Sequence, residues 1–254
     1  MKIVVTVKQV PDPNVSPGLD PDNTVARERE SVLDPGDECG IEIALQLKEA
    51  AGEGEVVLCS MGPGGARDAI RKGLSMGADR GILVTDSELE GADALLTART
   101  LAAAIAPESP DLVITATESY DGSTGVVPPM LAELLHLPQL TFATRLQAQD
   151  GRLTVHRQTA DGYQVVEAEA PALVSVTAAI AEPRYASLKG IMAARRKEVK
   201  ELAFAELGID KGDPVEEILS VDEAEERSAG EIVEDDGTSG VDRILEVLAQ
   251  ARVI

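Results

Sequence analysis

The chain has no tryptophan, two phenylalanines and three tyrosines in 254 residues, so its core has to be aliphatic. Cysteine is nearly absent too: Cys39 and Cys59 are the only two, and they form neither a CxxC pair nor a metal-type cluster. That excludes a disulfide framework or a zinc site and points to reduced thiols in a cytoplasmic setting. His136 and His156 stand alone in the sequence and read as structural. There is no GxxxxGK[ST], no GxGxxG and no GxSxG, and acid pairs such as Glu216-Glu217 lie in a charged tail as solvated groups. No catalytic constellation is therefore expected. No apolar run reaches the roughly 18 residues of a membrane span, and the chain begins on a strand rather than a basic-then-apolar leader. Neither export nor membrane insertion is expected. The net charge of −22 excludes a nucleic-acid partner, because a phosphate backbone would be repelled.

Apolar runs of four to eight residues alternate with helical periodicity, which signals a parallel sheet covered on both faces. Strands are expected at Ile3 to Val10, Glu55 to Met61, Arg80 to Thr85 and Asp111 to Ala116. Helices are expected at Cys39 to Ala51, Gly65 to Met76, Ala92 to Ala106 and Thr124 to Leu135, with Gly52, Gly77 and Pro107 as stops. After Pro138 the period changes to two, giving strands at Gln139 to Gln147, Arg152 to Thr159 and Tyr163 to Ala170. Asp150-Gly151 and Asp161-Gly162 are the expected hairpin turns, and these strands extend the same sheet. The fold class is thus α/β: a doubly wound, mostly parallel, Rossmann-like sheet with added antiparallel strands and a C-terminal arm. Residues 1–200 form the domain. Residues 201–240 carry fourteen acids against two bases and read as a solvated linker. Residues 241–254 resume an apolar periodicity at Ile244, Leu245, Leu248 and Val253, as a helix that clasps a partner or packs back on its own domain.

In an open α/β sheet, ligands collect at the carboxyl ends of the strands, where helix N-termini attract anions. Three loops qualify: Val7-Lys8, Met61-Gly62-Pro63, and the stretch from Glu118 to Val127. The last is rich in glycine and hydroxyls at a helix start, as a backbone cradle for phosphate requires. An ordinary capped βα loop reads much the same.

The segment Ala181 to Lys200, AEPRYASLKGIMAARRKEVK, places Leu188 in a proline-stiffened loop ahead of the basic run Arg195-Arg196-Lys197. One apolar side chain beside a cationic cluster suits docking to an acidic surface, although a solvated loop leading into a helix has similar composition. EPRY-x-SL-x-GIM-x-A with its basic run closely resembles the recognition loop of the electron transfer flavoprotein beta subunits. The opening VKQVPD resembles that family as well, as do Ser60-Met61-Gly62-Pro63, Ala69 to Lys72, Ser75 to Arg80, and the stretch from Val155 through Arg157, Asp161-Gly162, Gln164 and Val166 to Pro171–Ser175. Ala160 stands where the family usually has an acid.

The resemblance implies one half of an alpha-beta heterodimer that carries electrons from acyl-CoA or related dehydrogenases to a membrane-bound quinone oxidoreductase. The redox FAD would be held mainly by the alpha subunit, and AMP, or in some members a second FAD, would bind this chain. An electron carrier needs no catalytic residues, because the redox chemistry belongs to the flavin. By position the nucleotide would meet Val7, Lys8, Met61, Gly62, Pro63, Ser119, Asp121, Gly122, Ser123, Thr124, Gly125, Val126 and Val127, with Asp34 and Asp37 on the family's NPxDE element. Asp34 replaces the customary Asn and Val126 a common Gln. Donor recognition would fall to Arg184, Tyr185, Leu188, Ile191, Met192, Arg195, Arg196 and Lys197. Two alternatives stay open: a flavin-bifurcating relative with a catalytic FAD in this chain, and a stand-alone nucleotide-binding module of the universal stress type. Such modules commonly carry a GxxGxxxxG(S/T) loop, absent from this chain.

Overall fold

Side chains alternate across a strand, so a run that is apolar at every position is stable only where helices cover both faces of the sheet. A computed structural model describes residues 1–15, 19, 31–216, 218–219, 230, 232–233, 237 and 239–254. It divides the chain into two units, Met1–Ile218 and Leu219–Ile254.

In chain order the first unit contains β1 (Lys2–Thr6), β2 (Gln9–Pro11), β3 (Ser31–Leu33), α1 (Pro35–Ala51), β4 (Glu55–Met61), α2 (Ala66–Met76), β5 (Arg80–Val84), α3 (Ala94–Ile105), β6 (Leu112–Ala116) and α4 (Val127–Leu134). Next come β7 (Gln139–Gln149), β8 (Arg152–Thr159), β9 (Gly162–Glu169), β10 (Ala172–Val176), α5 (Leu188–Ala194) and β11 (Val199–Leu202). Nine strands form one sheet in the order β11-β5-β4-β1-β6-β10-β7-β8-β9. It is parallel from β11 to β7 and antiparallel through the β7-β8-β9 meander. Ile3, Val5, Leu58 and Ile114 point to one face and pack with Ile41 and Leu45 of α1 and Ile70 and Leu74 of α2. Val4, Val57, Ile82 and Val113 point to the other and pack with Leu101 and Ile105 of α3 and Leu131 of α4.

The expected α/β fold is present, with five local corrections, one being that the helix expected from Thr124 starts at Val127. The first expected strand is two: β1 stops at Thr6, and β2 pairs antiparallel with β3 in a separate ribbon. The break arises because the Lys8 backbone N–H turns to the Asp37 carboxylate at 2.7 Å instead of continuing the ladder. Helix α1 begins four residues earlier than expected, because Asp34 caps it and Pro35 supplies a preset first turn. Strand β10, five buried residues between β6 and β7, was not among the expected strands; it is the element that joins the meander to the parallel sheet. The turn between β8 and β9 consists of Ala160 and Asp161, with Gly162 already in β9.

The chain also stays in the first unit beyond residue 200. Strand β11 pairs with β5, Phe204 is buried, and the Val215 N–H donates to Asp93 Oδ2 at 2.8 Å. Most of the expected linker past residue 216 lies outside the described residues. The second unit contains α6 (Ser239–Gln250), none of whose residues is buried. Val241, Ile244, Leu245 and Leu248 share one face of it by their i, i+3, i+4, i+7 spacing.

An ion cluster closes the amino edge of the sheet, where Lys2, Glu55 and Arg80 are the first residues of β1, β4 and β5. Arg80 Nε donates to Glu55 Oε1 at 2.8 Å, its Nη1 donates to Glu108 Oε1 at 3.1 Å, and Lys2 Nζ donates to the Glu108 carbonyl at 2.9 Å. Hydrogen bonds from Arg80 outweigh burial and hold the Glu108 carboxyl below the usual glutamate range. Arg80→Met is expected to lower stability by about 1–2 kcal/mol, a charge-assisted pair discounted for partial exposure. A depressed carboxyl stabilises the fold above its unfolded pKa and loses that contribution as pH falls through its folded pKa. The gap between wild type and Arg80→Met in urea midpoint should therefore close on acidification below the glutamate range; a gap that persists there contradicts the ionic account.

Candidate nucleotide site and docking segment

The sheet order reverses between β1 and β6. Helix α1, after β1, covers one face, and α4, after β6, covers the other; this switch point, at the carboxyl ends of the two strands, is where open α/β sheets form a ligand crevice. The β4 loop, Met61-Gly62-Pro63, flanks it on the neighbouring strand.

Hydrogen bonds knit the loops around this crevice. Asp34 spends both carboxylate oxygens on backbone: Oδ1 accepts from the Gly36 N–H at 2.8 Å and Oδ2 from the Tyr120 N–H at 2.7 Å, so it ties the 118–126 loop to the start of α1. Asp37 accepts from the Lys8 N–H at 2.7 Å. Lys8 Nζ reaches Asp121 Oδ1 at 2.7 Å and Ser119 Oγ at 3.2 Å. Val7, buried, continues β1 by donating its N–H to the Cys59 carbonyl at 2.9 Å. Burial, with the neighbouring Asp34 adding to it, pushes the Asp37 carboxyl well above the usual range. Burial raises Asp34 as well, against the two N–H groups that favour its charged form. Asp34 and Asp37 thus brace the crevice from beneath.

The loop after β6 suits an anion. Val126 caps α4 without a side-chain acceptor, so the first amides of that helix are left without a side-chain cap. Gly125 has φ of +64° and Ser123 φ of +47°, left-handed turns; the Ser123 N–H donates to the Ser119 carbonyl at 2.9 Å, so the candidate amides for an anion are those of Thr124 to Val127. A Cβ on Gly122 would lie 2.9 Å from Ser119 Oγ, so that glycine lets the loop close on itself. These residues fit a phosphate held by backbone. Pro128 and Pro129 in the first turn supply no N–H, so the work falls on residues 124–127.

The docking segment corrects one expectation and refines another. Leu188 is not in a loop. It is the first residue of α5, capped by Ser187, whose Oγ accepts from the Gly190 N–H at 3.0 Å. Gly190 lets α5 lie on α2, because a Cβ there would sit 2.3 Å from the Ser75 carbonyl. Tyr185 is 94% exposed, Leu188 75%, Met192 64% and Ile191 45%, so they present apolar surface to solvent.

The cations divide into two groups. Arg195 and Arg196 are exposed beside the apolar row, as is Lys189. Arg184 instead holds Glu42 and Glu49 of α1, and Lys197 Nζ donates to the Leu74 carbonyl at 3.0 Å and to the Ala78 carbonyl at the end of α2. Burial pulls the Lys197 ammonium below its usual range. Sequence reasoning missed Glu42. The signal was an acid lodged between Ile41 and Ile43 on an apolar helix, a position that burial forbids without a cation.

Residues 22–207 match the electron transfer flavoprotein domain. The chain is 41% identical to the electron transfer flavoprotein subunit beta of Mycobacterium bovis over 264 aligned residues, covering 99% of both chains. It is 37% identical to the subunit of that name from Thermoanaerobacterium thermosaccharolyticum and 35% identical to that from Megasphaera elsdenii, each over the whole of both chains. This chain belongs to the electron transfer flavoprotein beta subunits. The full-length match sets aside the stand-alone stress module and takes in the region past residue 200. Among the described residues of this beta subunit, no cluster of His, Cys, Asp and Glu is placed to hold a metal, and no helix is long and apolar enough to cross a membrane.

Proposed function

We propose that this beta subunit pairs with an electron transfer flavoprotein alpha subunit and serves in the cytoplasm as the donor-recognising half of an electron carrier. FAD, held mainly by the alpha subunit, would supply the one- and two-electron chemistry. The chain's own contribution is binding: α5 meets the reduced dehydrogenase, an acyl-CoA dehydrogenase or a related donor, and a membrane-bound quinone oxidoreductase is the acceptor. The observation that carries the reading is the exposed row of Tyr185, Leu188 and Met192 beside Arg195 and Arg196. Apolar area gives affinity, and the exposed guanidinium groups favour an acidic rim on the partner.

In the crevice we infer an adenine nucleotide, AMP, with its phosphate on the amides of residues 124–127. Lys8, whose ammonium already pairs with Asp121 and reaches Ser119, would steady the loop at the rim without adding net positive charge. Asp34 acts by holding the loop rather than by touching the base, since both its oxygens accept from backbone. The exposed face of α6 is the arm we assign to the alpha subunit.

Co-expression with a candidate alpha subunit, followed by acid release and chromatography, tests this reading. One FAD and one AMP per heterodimer is the expected result. Two FAD would replace AMP by a second flavin in this chain and indicate bifurcation, and a flavin-loaded homodimer of this chain would overturn the heterodimer assignment.

A further inference from the structure

Glu42 lies in the middle of α1 with only 4% of its surface exposed. A carboxylate there is costly unless a cation meets it, and the cation arrives from 142 residues away. Arg184 Nε donates to Glu42 Oε2 at 2.7 Å and Nη2 to Oε1 at 3.0 Å, a two-pronged pair; the Arg184 backbone N–H also donates to Oε2, at 3.2 Å. The other edge of the guanidinium takes Glu49, with Nη1 to Oε1 at 2.6 Å and Nη2 to Oε2 at 3.2 Å. Gln46 Nε2 completes the Glu42 shell at 2.8 Å. Burial by itself would raise the Glu42 carboxyl, but the bonds from Arg184 and Gln46 hold it below the usual range.

The far end of the segment is fixed in a similar way. Lys197 Nζ binds the carbonyls that end α2, Arg71 Nη1 donates to the Ala194 carbonyl at 3.3 Å, Ala194 is buried, and Gly190 rests against Ser75. Between these anchors α5 has only seven residues, too few to be stable as an isolated helix. Its order therefore comes from the anchors. Moreover, Arg184 together with Glu42 and Glu49 carries a net charge of −1, so it cannot draw in an acidic partner.

We propose that Arg184 is a positioning residue for donor docking: its clamp on α1 holds residues 185–194 in their final arrangement before the donor arrives. The proposal rests on the docking role assigned above to the Leu188 surface. Fixing the segment in advance removes the ordering cost that a floppy loop would incur at each encounter. Arginine is required because only its planar fork can engage two carboxylates at once. Glu42 is buried beneath the segment and cannot reach a docked partner, so it separates positioning from contact.

The test uses the assembled heterodimer carrying Arg184→Lys, Glu42→Gln or the more exposed Glu49→Gln, which leaves the buried pair intact and guards against a folding failure. Flavin reduction is followed against the concentration of an acyl-CoA dehydrogenase supplied with its acyl-CoA, with amide exchange measured over residues 187–194. Arg184→Lys and Glu42→Gln should raise the half-saturating dehydrogenase concentration about tenfold, and Glu49→Gln by a smaller factor in the same direction. The limiting rate, flavin content and salt dependence should stay at wild-type values while exchange over 187–194 quickens. Wild-type coupling in Arg184→Lys and Glu42→Gln overturns the proposal, as does weaker coupling with unchanged exchange and a flatter salt dependence, the mark of a steering charge. If Leu188→Ala also leaves coupling unchanged, the docking reading has failed; if Leu188→Ala is impaired while the clamp variants are normal, only the positioning role has failed.

Discussion

Leu188→Ala will weaken coupling to the donor dehydrogenase by about tenfold or more while the heterodimer keeps its flavin. A leucine entering an apolar pocket contributes about 1.5–3 kcal/mol, which sets the size of the loss. Stability should hardly change, because Leu188 is 75% exposed at the first turn of α5 and surface truncations of this kind stay near ±0.5 kcal/mol. Neutralising Arg195 and Arg196 should act differently, slowing association and flattening its dependence on ionic strength. Flavin reduction against donor concentration at two ionic strengths distinguishes the two effects. Unchanged coupling of Leu188→Ala across several acyl-CoA dehydrogenases would mean that the donor is of another type or docks elsewhere.

The parallel core was legible because its pattern is local. Continuous apolar runs such as Val56 to Cys59, framed by helices with glycine stops, admit one fold class, and residues on both faces of those strands are buried as that class requires. The Asp150-Gly151 turn was equally direct, since both residues adopt the positive φ that such a hairpin needs. What failed locally was decided by distant groups. The strand expected through Val10 breaks because Asp37, on the next helix, takes the Lys8 N–H. The acid-rich stretch after residue 200 read as solvated, yet Val199–Leu202 pairs with β5 and Arg67 forms an ion pair with Glu201. Composition records charge but not the edge strand waiting to be paired.

The candidate site shows the same division. Position in the fold brought Lys8, Ser119 and Asp121 together as expected, because the carboxyl ends of neighbouring strands must converge. The roles of individual side chains were less legible. Asp34, placed by the resemblance on the nucleotide element, is occupied as a latch, and Arg184, placed among the donor-recognising residues, is occupied as a clamp. In each case the deciding partner, the Tyr120 N–H or Glu42, lies more than eighty residues away in the chain. No spacing rule reveals such a pairing.

Gly125→Leu will empty the nucleotide crevice and leave the partner-held FAD in place. At Gly125 the backbone has φ of +64°, and the nearest atom to an added Cβ is Glu118 Oε2 at 3.7 Å, so the protein itself offers room there. The effect therefore comes from two other sources. A left-handed conformation costs an ordinary residue about 1–2 kcal/mol, which loosens the turn that orients the loop amides. The side chain then occupies the space where backbone N–H groups would approach phosphate. Together these should reduce bound nucleotide at least tenfold, measured by acid release and chromatography of the purified heterodimer. Gly52→Leu is the control, since Gly52 has φ of +75° with open space around it but lies at the far end of α1. It suffers the same backbone penalty and should keep its nucleotide. Full AMP or second-FAD content in Gly125→Leu would remove the phosphate from residues 124–127, and equal loss in both variants would show that nucleotide retention follows stability rather than this loop.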